Sequence, residues 1–406
     1  MTLPSQISKR NFYSFLWHAG FLALAQNFMD VDTVIPAMLI ESGGNAMHVG
    51  IMSAIMLGGS SFTQLIFAPY ISNKPFKKKF LLLGINSRVL SLLALGLMFF
   101  FIKSQQSHLI LWFIFLFITL FSLGGAFANI SYTDILGKTI NEEKRKKFFS
   151  VKQIIAGSVV LFSAFWAKKT LTLSNFPVNY AYMFLIGGIL LLIASGGFWN
   201  VKEQVPSVLK ISGLREFLKV LKSELTNNKK LIYFLGFVNT QGIAISFLPF
   251  VILYAKKIFD TNSSDTGSFL LFKVIGVVIV SMMVLLVAKK IKYKWLLYSN
   301  VLLSLFLALI VINIGNVTTL KYLFILGGII YSLYSITMNG VLLEVSGHQN
   351  RALYAGFAGA GNILPAVFPL AGGWIINRFG FQAFFGMFMF IISFAIYFIY
   401  KIDCKK

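Results

Sequence analysis

The chain is a procession of apolar runs, each about 20 residues long, separated by short polar segments. A helix rises about 1.5 Å per residue, so a run of about 20 residues crosses the roughly 30 Å hydrocarbon core of a bilayer. The runs fall at 12–40, 48–71, 80–102, 109–134, 148–167, 180–199, 231–254, 268–288, 295–314, 320–343, 352–376 and 381–400. Composition agrees: 57% of residues are hydrophobic and 12% charged, where a soluble domain carries about 25% charged residues. A soluble protein is excluded. The expected fold class is an all-α integral membrane protein with 12 transmembrane helices. The first run begins at Phe12, behind Lys9 and Arg10, and is too long for the apolar core of a signal peptide, so it reads as a retained first helix.

The longest polar stretch, Asn200–Lys230, divides the runs into six and six. The expected organisation is an N-terminal six-helix bundle at 1–199, a connector at 200–230 and a C-terminal bundle at 231–406. Within the connector Leu214, Phe217, Leu218 and Leu221 recur at helical spacing between Arg215, Lys219 and Lys222. This pattern fits a helix lying on the membrane surface or a solvated linker helix. The net charge of +23 does not point to nucleic acid, because the basic residues sit in the short loops. With the N-terminus inside, inner segments hold 26 Lys and Arg and outer segments seven. That excess places both termini and the connector in the cytoplasm. The single cysteine, Cys404, rules out a disulfide framework.

The two halves echo each other. Val34-Ile35-Pro36 in the first run matches Phe247-Leu248-Pro249 in the seventh, which sets Gln26 opposite Asn239 and Asn27 opposite Thr240. Lys79-Phe80-Leu81-Leu82 matches Lys294-Trp295-Leu296-Leu297, and Asn129 with Asp134 matches Asn339 with Glu344. Three matches in one order argue for a duplicated six-helix unit, a pattern of secondary transporters. With this organisation the chain resembles the major facilitator superfamily (MFS). Between the second and third runs that family carries Gly-x3-Asp-Arg-x-Gly-Arg-Arg/Lys. Here Asn73 stands for the Asp and Phe76 for the second Gly, while Lys74, Lys77 and Lys78 keep the charge. Pro369-Leu370-Ala371-Gly372-Gly373-Trp374, followed by Arg378-Phe379-Gly380-Phe381, is similar to the family's junction of helices 11 and 12. The fourth run lacks the Arg of drug antiporters, and the fifth lacks their Gly-Pro pair. The resemblance implies two pseudo-symmetric bundles and alternating access.

Candidate residues are the polar groups at lipid depth, which are costly there and need a partner or a watery cavity. Asp30 and Asp32 are proton-coupling candidates. Asp32-Thr33-Val34-Ile35 resembles helix 1 of proton-coupled sugar transporters, although their partner Arg on helix 4 is missing. The plainer alternative puts both acids at the wet outer end of helix 1. Arg88 lies roughly 12 Å deep; it binds an anionic group, pairs with a carboxylate, or snorkels to headgroups. Gln26, Asn27, Asn239, Gln241, Tyr334 and Asn362 join Arg88 as cavity candidates, against the alternative of helix-to-helix hydrogen bonds. Asp134, Arg145, Glu344 and Arg351, with Lys74 and Lys77, are cytoplasmic-gate candidates. Lys152 and Lys273 are expected to snorkel, and His18 to be a packing histidine.

No phosphate-binding loop, metal-ligand spacing or enzyme signature stands out, so neither a catalytic residue nor a cofactor is expected. The expected function is a secondary transporter moving a small solute across a bacterial inner membrane, with protons as a coupling ion through Asp32. The lipid bilayer is its surroundings, nucleic acid is not a partner, and the chain acts as a monomer. The alternative is a non-transporting sensor or assembly factor of the same fold, which the degraded loop motif would suit.

Overall fold

The computed structural model describes residues 4–102, 108–207, 214–287, 292–346 and 361–402, and every regular element among them is helical. The first expected span is broken. Helix α1 (Ser5–Gln26) ends in a 3-10 turn at Asn27–Met29, and α2 (Val34–Glu41) resumes after it. The seventh span repeats this, with α9 (Lys229–Gln241), a 3-10 turn at Gly242–Ser246 and α10 (Phe247–Phe259). Registering Pro36 on Pro249 sets Val34 opposite Phe247, and these are the first residues of α2 and α10. The prolines explain the breaks. A proline has no N–H for the carbonyl four residues back and its ring clashes with that carbonyl, but the first turn of a helix tolerates it. The helix must therefore restart just before each proline.

The other long helices match the apolar runs. They are α3 (Ala46–Ser72), α4 (Lys78–Phe101), α5 (His108–Thr139), α6 (Glu142–Leu171) and α7 (Val178–Asn200) before the connector. Beyond it are α11 (Ser263–Val287), α12 (Tyr293–Ile312), α13 (Val317–Ser346) and α14 (Ile363–Ile402). The connector carries α8 (Leu214–Asn227), on which Arg215, Lys219 and Lys222 are exposed. The last element holds two expected spans, and its helical backbone is interrupted at Gly380, where φ is +82°. Only glycine adopts that conformation without strain. Among the described residues nine helices are long and apolar enough to cross a membrane. Leu90 at 68%, Phe101 at 74% and Trp112 at 73% exposure point outward, as lipid-facing side chains do in a chain of this composition.

The contacts divide the chain into two compact units: Met1–Asp30 with Phe62–Phe217, and Val31–Ser61 with Leu218–Lys406. In the first, α4 packs on α5 and α7, and α1 packs on α6 and α7. The α4–α5 crossing is close because both helices offer a glycine. A Cβ on Gly84 would lie 2.5 Å from the Gly124 carbonyl oxygen, and one on Gly124 would lie 2.7 Å from that of Gly84. In the second unit α11 packs on α13, α9 on α14, and α12 on both α13 and α14. Phe247 meets Phe388 at 4.2 Å and Phe250 meets Phe384 at 4.6 Å between ring centres. Residues 31–61 stand in the first half of the chain but belong to the second unit, because α2 packs against α10 and α11.

Candidate functional site

Three polar constellations interrupt the apolar interior. The first lies in the first unit, where α4 begins and α5 ends. Asp134 accepts from Lys77 and Lys138, each at 2.9 Å, and from the Ser207 hydroxyl at 2.7 Å. Lys138 also reaches Glu203 at 2.8 Å. Glu203 accepts from the backbone N–H of Lys77 at 2.8 Å and of Lys78 at 2.7 Å. Those are open donors of the first turn of α4, and a carboxylate there also meets the positive end of the helix dipole. Glu203 is almost wholly buried, with 2% of its side chain exposed. Asp134 and Lys77, both gate candidates, are thus together. Arg145 instead donates to the carbonyls of Ile140, at 3.1 Å, and Gly137. Lys74 sits 4.8 Å from the Tyr70 ring centre. The Glu344 side chain and Arg351 lie outside the described residues.

The second constellation lines a cavity of about 220 Å3 inside the same unit. Arg88 from α4, Tyr132 from α5, Lys152 from α6 and His18 from α1 face it. Arg88 holds its guanidinium 4.2 Å from the Phe121 ring centre, and its Nε makes no hydrogen bond among the described residues. No ion pair to Arg88 occurs among them either, so of the three expectations for Arg88 the carboxylate pair is not found there. Lys152 does not snorkel as the sequence suggested. It enters the cavity and donates to the Tyr132 hydroxyl at 3.4 Å, because α6 starts at Glu142 and so runs well past Lys152 on both sides. His18 is buried, stacks on Phe198 at 3.7 Å and places Nδ1 3.2 Å from the Ala194 carbonyl. It is the packing histidine expected. Asn27 donates to the Val160 carbonyl at 2.8 Å, Gln26 is exposed, and Asp30 is buried at the end of the 3-10 turn.

The third lies in the second unit and holds Asp32. Its carboxylate meets Lys273 of α11 at 2.5 Å, with 5% and 7% of the two side chains exposed. Lys273, expected to snorkel, is buried instead, because α11 begins at Ser263 and carries it well into the apolar interior. Its ammonium also lies 5.5 Å from the Tyr331 ring centre. The charge that helix 4 does not supply to Asp32 comes from α11. At the second break, the Tyr334 hydroxyl and the Asn362 amide oxygen converge on Gly242; a Cβ there would lie 2.9 and 3.3 Å from them. Neither atom has a hydrogen-bond partner among the described residues, nor does Gln241 Oε1, although Gln241 donates to Ser304 at 2.9 Å. Asn239 is a fastener: it donates to the Gly361 carbonyl at 2.6 Å and accepts from the Leu364 N–H at 2.8 Å. Among the described residues no group of acids, histidines or cysteines could hold a metal ion.

Residues 16–356 match the family model of the Major Facilitator Superfamily. The chain belongs to that superfamily. Solved structures of MFS fold superpose along nearly the whole length. A mutant of the nucleoside transporter NupG matches with a TM-score of 0.69 at 12% identity, covering 97% of this chain and 98% of that one. A D-xylose–proton symporter matches at 0.68 and 14%, covering 97% and 98%. A POT family transporter in complex with a thioalcohol-conjugated peptide matches at 0.66 and 15%, covering 97% and 95%. At such identities the likeness is one of fold. No curated protein matches in sequence. The chain is thus a multi-pass membrane protein with the 12-helix MFS architecture.

Proposed function

We propose that this protein is a secondary active transporter that moves a small solute by alternating access and couples it to protons through Asp32. The buried Asp32–Lys273 pair carries the reading. Two charges in an apolar interior cost several kcal/mol each to desolvate, and the pair repays this only while both partners are ionised and in contact. A proton on Asp32 cancels the attraction, so protonation and the pair's geometry are linked. Asp32 also sits in the broken stretch before Pro36, where the backbone is not held by helical hydrogen bonds. Asp30, two residues earlier, is the lesser candidate.

In this reading the halves at 1–199 and 231–406 rock about a central path, with the 200–230 connector and both termini in the cytoplasm of a cell bounded by an inner membrane. Gln241, Tyr334 and Asn362 offer uncommitted polar atoms to the solute. Lys77 and Asp134 latch the inner side, helped by Lys138 and Glu203. Asp32→Asn abolishes accumulation driven by a pH gradient in proteoliposomes and spares exchange at equal concentrations. Full pH-driven accumulation by that variant would sink the coupling role. Absence of flux for every member of a broad solute panel would favour a non-transporting member of the fold.

A further inference from the structure

The cavity between α1, α4, α5, α6 and α7 is lined by two cationic side chains, Arg88 and Lys152, and by no Asp or Glu. Neither cation has an ion-pair partner among the described residues. Arg88 rests on the Phe121 ring, which attracts a cation only weakly, and its Nε makes no hydrogen bond there. Lys152 is held by a long contact to the neutral Tyr132 hydroxyl. Two half-buried cations that share one cavity without a counter-charge repel each other and favour an anion between them. Arg88 is also misplaced for structural use. It is the eleventh residue of α4, about 15 Å from the helix start, and its guanidinium stays over Phe121 instead of reaching toward a headgroup.

We propose that this cavity binds the carboxylate or phosphate group of a small solute, and that the transported substrate is an anion. The guanidinium fork suits a planar or tetrahedral oxyanion in two-point contact. Lys152 adds a second positive charge, and the Tyr132 hydroxyl and Asn129 amide add neutral hydrogen-bonding groups at the wall. A volume of about 220 Å3 falls below the range of about 300–1,000 Å3 typical of drug-sized ligands. The anion is therefore small: inorganic phosphate or a short-chain carboxylate. The inference rests on the transport reading for the anion's being cargo; the binding itself does not.

The test has a binding arm and a flux arm on the full chain. In detergent, thermal unfolding is followed with rising inorganic phosphate, lactate or succinate, against chloride at equal ionic strength and against a neutral sugar. At least one oxyanion should raise the midpoint saturably, and Arg88→Gln should weaken its apparent affinity tenfold or more. Lys152→Gln should weaken it less, and Arg88→Lys should keep part of it. Arg88→Met, which removes a half-buried cation from a cavity lined by no acid, should raise the ligand-free midpoint while losing the anion response. That gain separates a binding role from a structural one, for which the midpoint would fall. Equal responses of the wild type and Arg88→Gln, or no response to any of the three oxyanions, overturn the proposal. Stabilisation by anionic phospholipid alone overturns its solute form. In proteoliposomes, saturable binding without flux leaves the anion site standing and removes the transport reading. Flux that Arg88→Gln leaves unchanged does the reverse.

Discussion

Removing either partner of the Asp32–Lys273 pair should cost far more stability than removing both. The two side chains are 5% and 7% exposed and 2.5 Å apart, so each variant removes one half of a buried ion pair. Stranding one member of a buried pair typically costs about 3–5 kcal/mol, whereas replacing both by neutral groups is close to neutral. Asp32→Asn should fall at the lower end, about 3 kcal/mol, because the Tyr331 ring 5.5 Å from the ammonium returns about 0.5–2 kcal/mol of cation–π attraction. Lys273→Met removes the ammonium from a carboxylate that is 5% exposed and should cost about 4 kcal/mol. The double variant should recover to within about 1 kcal/mol of the wild type, a coupling of about 5 kcal/mol or more by the double-mutant cycle. Reversible unfolding in mixed micelles, at a pH where Asp32 of the wild type is ionised, reads all four proteins. Single losses below about 0.5 kcal/mol, or strictly additive ones, refute the pair as an energetic unit. The coupling scheme would then fall with it.

Five further outcomes can be measured. Glu203→Gln should lose about 2–4 kcal/mol of stability in the same unfolding assay, since it removes both the Lys138 pair and a charged cap from α4; Asp134→Asn, at 24% exposure, should lose less, about 1–2 kcal/mol. Gly124→Val should cost at least about 1–3 kcal/mol, because its side chain meets the Gly84 carbonyl; a neutral result would mean α4 and α5 part freely. Gly380→Ala should cost about 1–3 kcal/mol, because φ +82° with ψ 178° is a region open essentially only to glycine. A reporter active only outside the cytoplasm, fused within α8, should stay silent, and strong activity there would reverse the assigned orientation.

The apolar runs made the helices legible, since length and hydropathy alone decide what crosses a bilayer. The breaks near Pro36 and Pro249 were not foreseen, since both runs were expected whole and the prolines served only to register the halves; a run's hydropathy does not record a missing N–H. The partners of the charged residues were not legible. Asp32 and Lys273 are far apart in sequence, and nothing near either names the other. The expectation that Lys273 snorkels came from its nearness to the end of an apolar run. The observed α11 starts well before that run, in a polar stretch that hydropathy does not score as helix. Asp134 drew attention through its match with Glu344, yet its ties run to Lys77, Lys138 and Ser207. Glu203 escaped notice as one of three acids in a basic connector. The signal available was its place just after α7, where the chain must turn back past the start of α4. Arg88 was visible as a charge in an apolar run, but that it shares a cavity with Lys152 depends on how the helices of the unit pack, which periodicity does not encode.

Two of the contacts that hold Lys273 differ in what can switch them off. The carboxylate's grip vanishes when one proton arrives. The grip of the Tyr331 ring comes from a quadrupole that no proton within the working range alters. When the pair lets go, the lysine therefore has somewhere to stay, and it hangs from an uninterrupted stretch of α11. Asp32 hangs from a different kind of backbone: it lies where the chain between Met29 and Val34 is not helical. The two ends of the bond are thus a mooring post and a rope, and movement should register on the rope. Amide exchange in residues 30–33 should quicken when Asp32 is neutralised, while exchange around Lys273 stays slow.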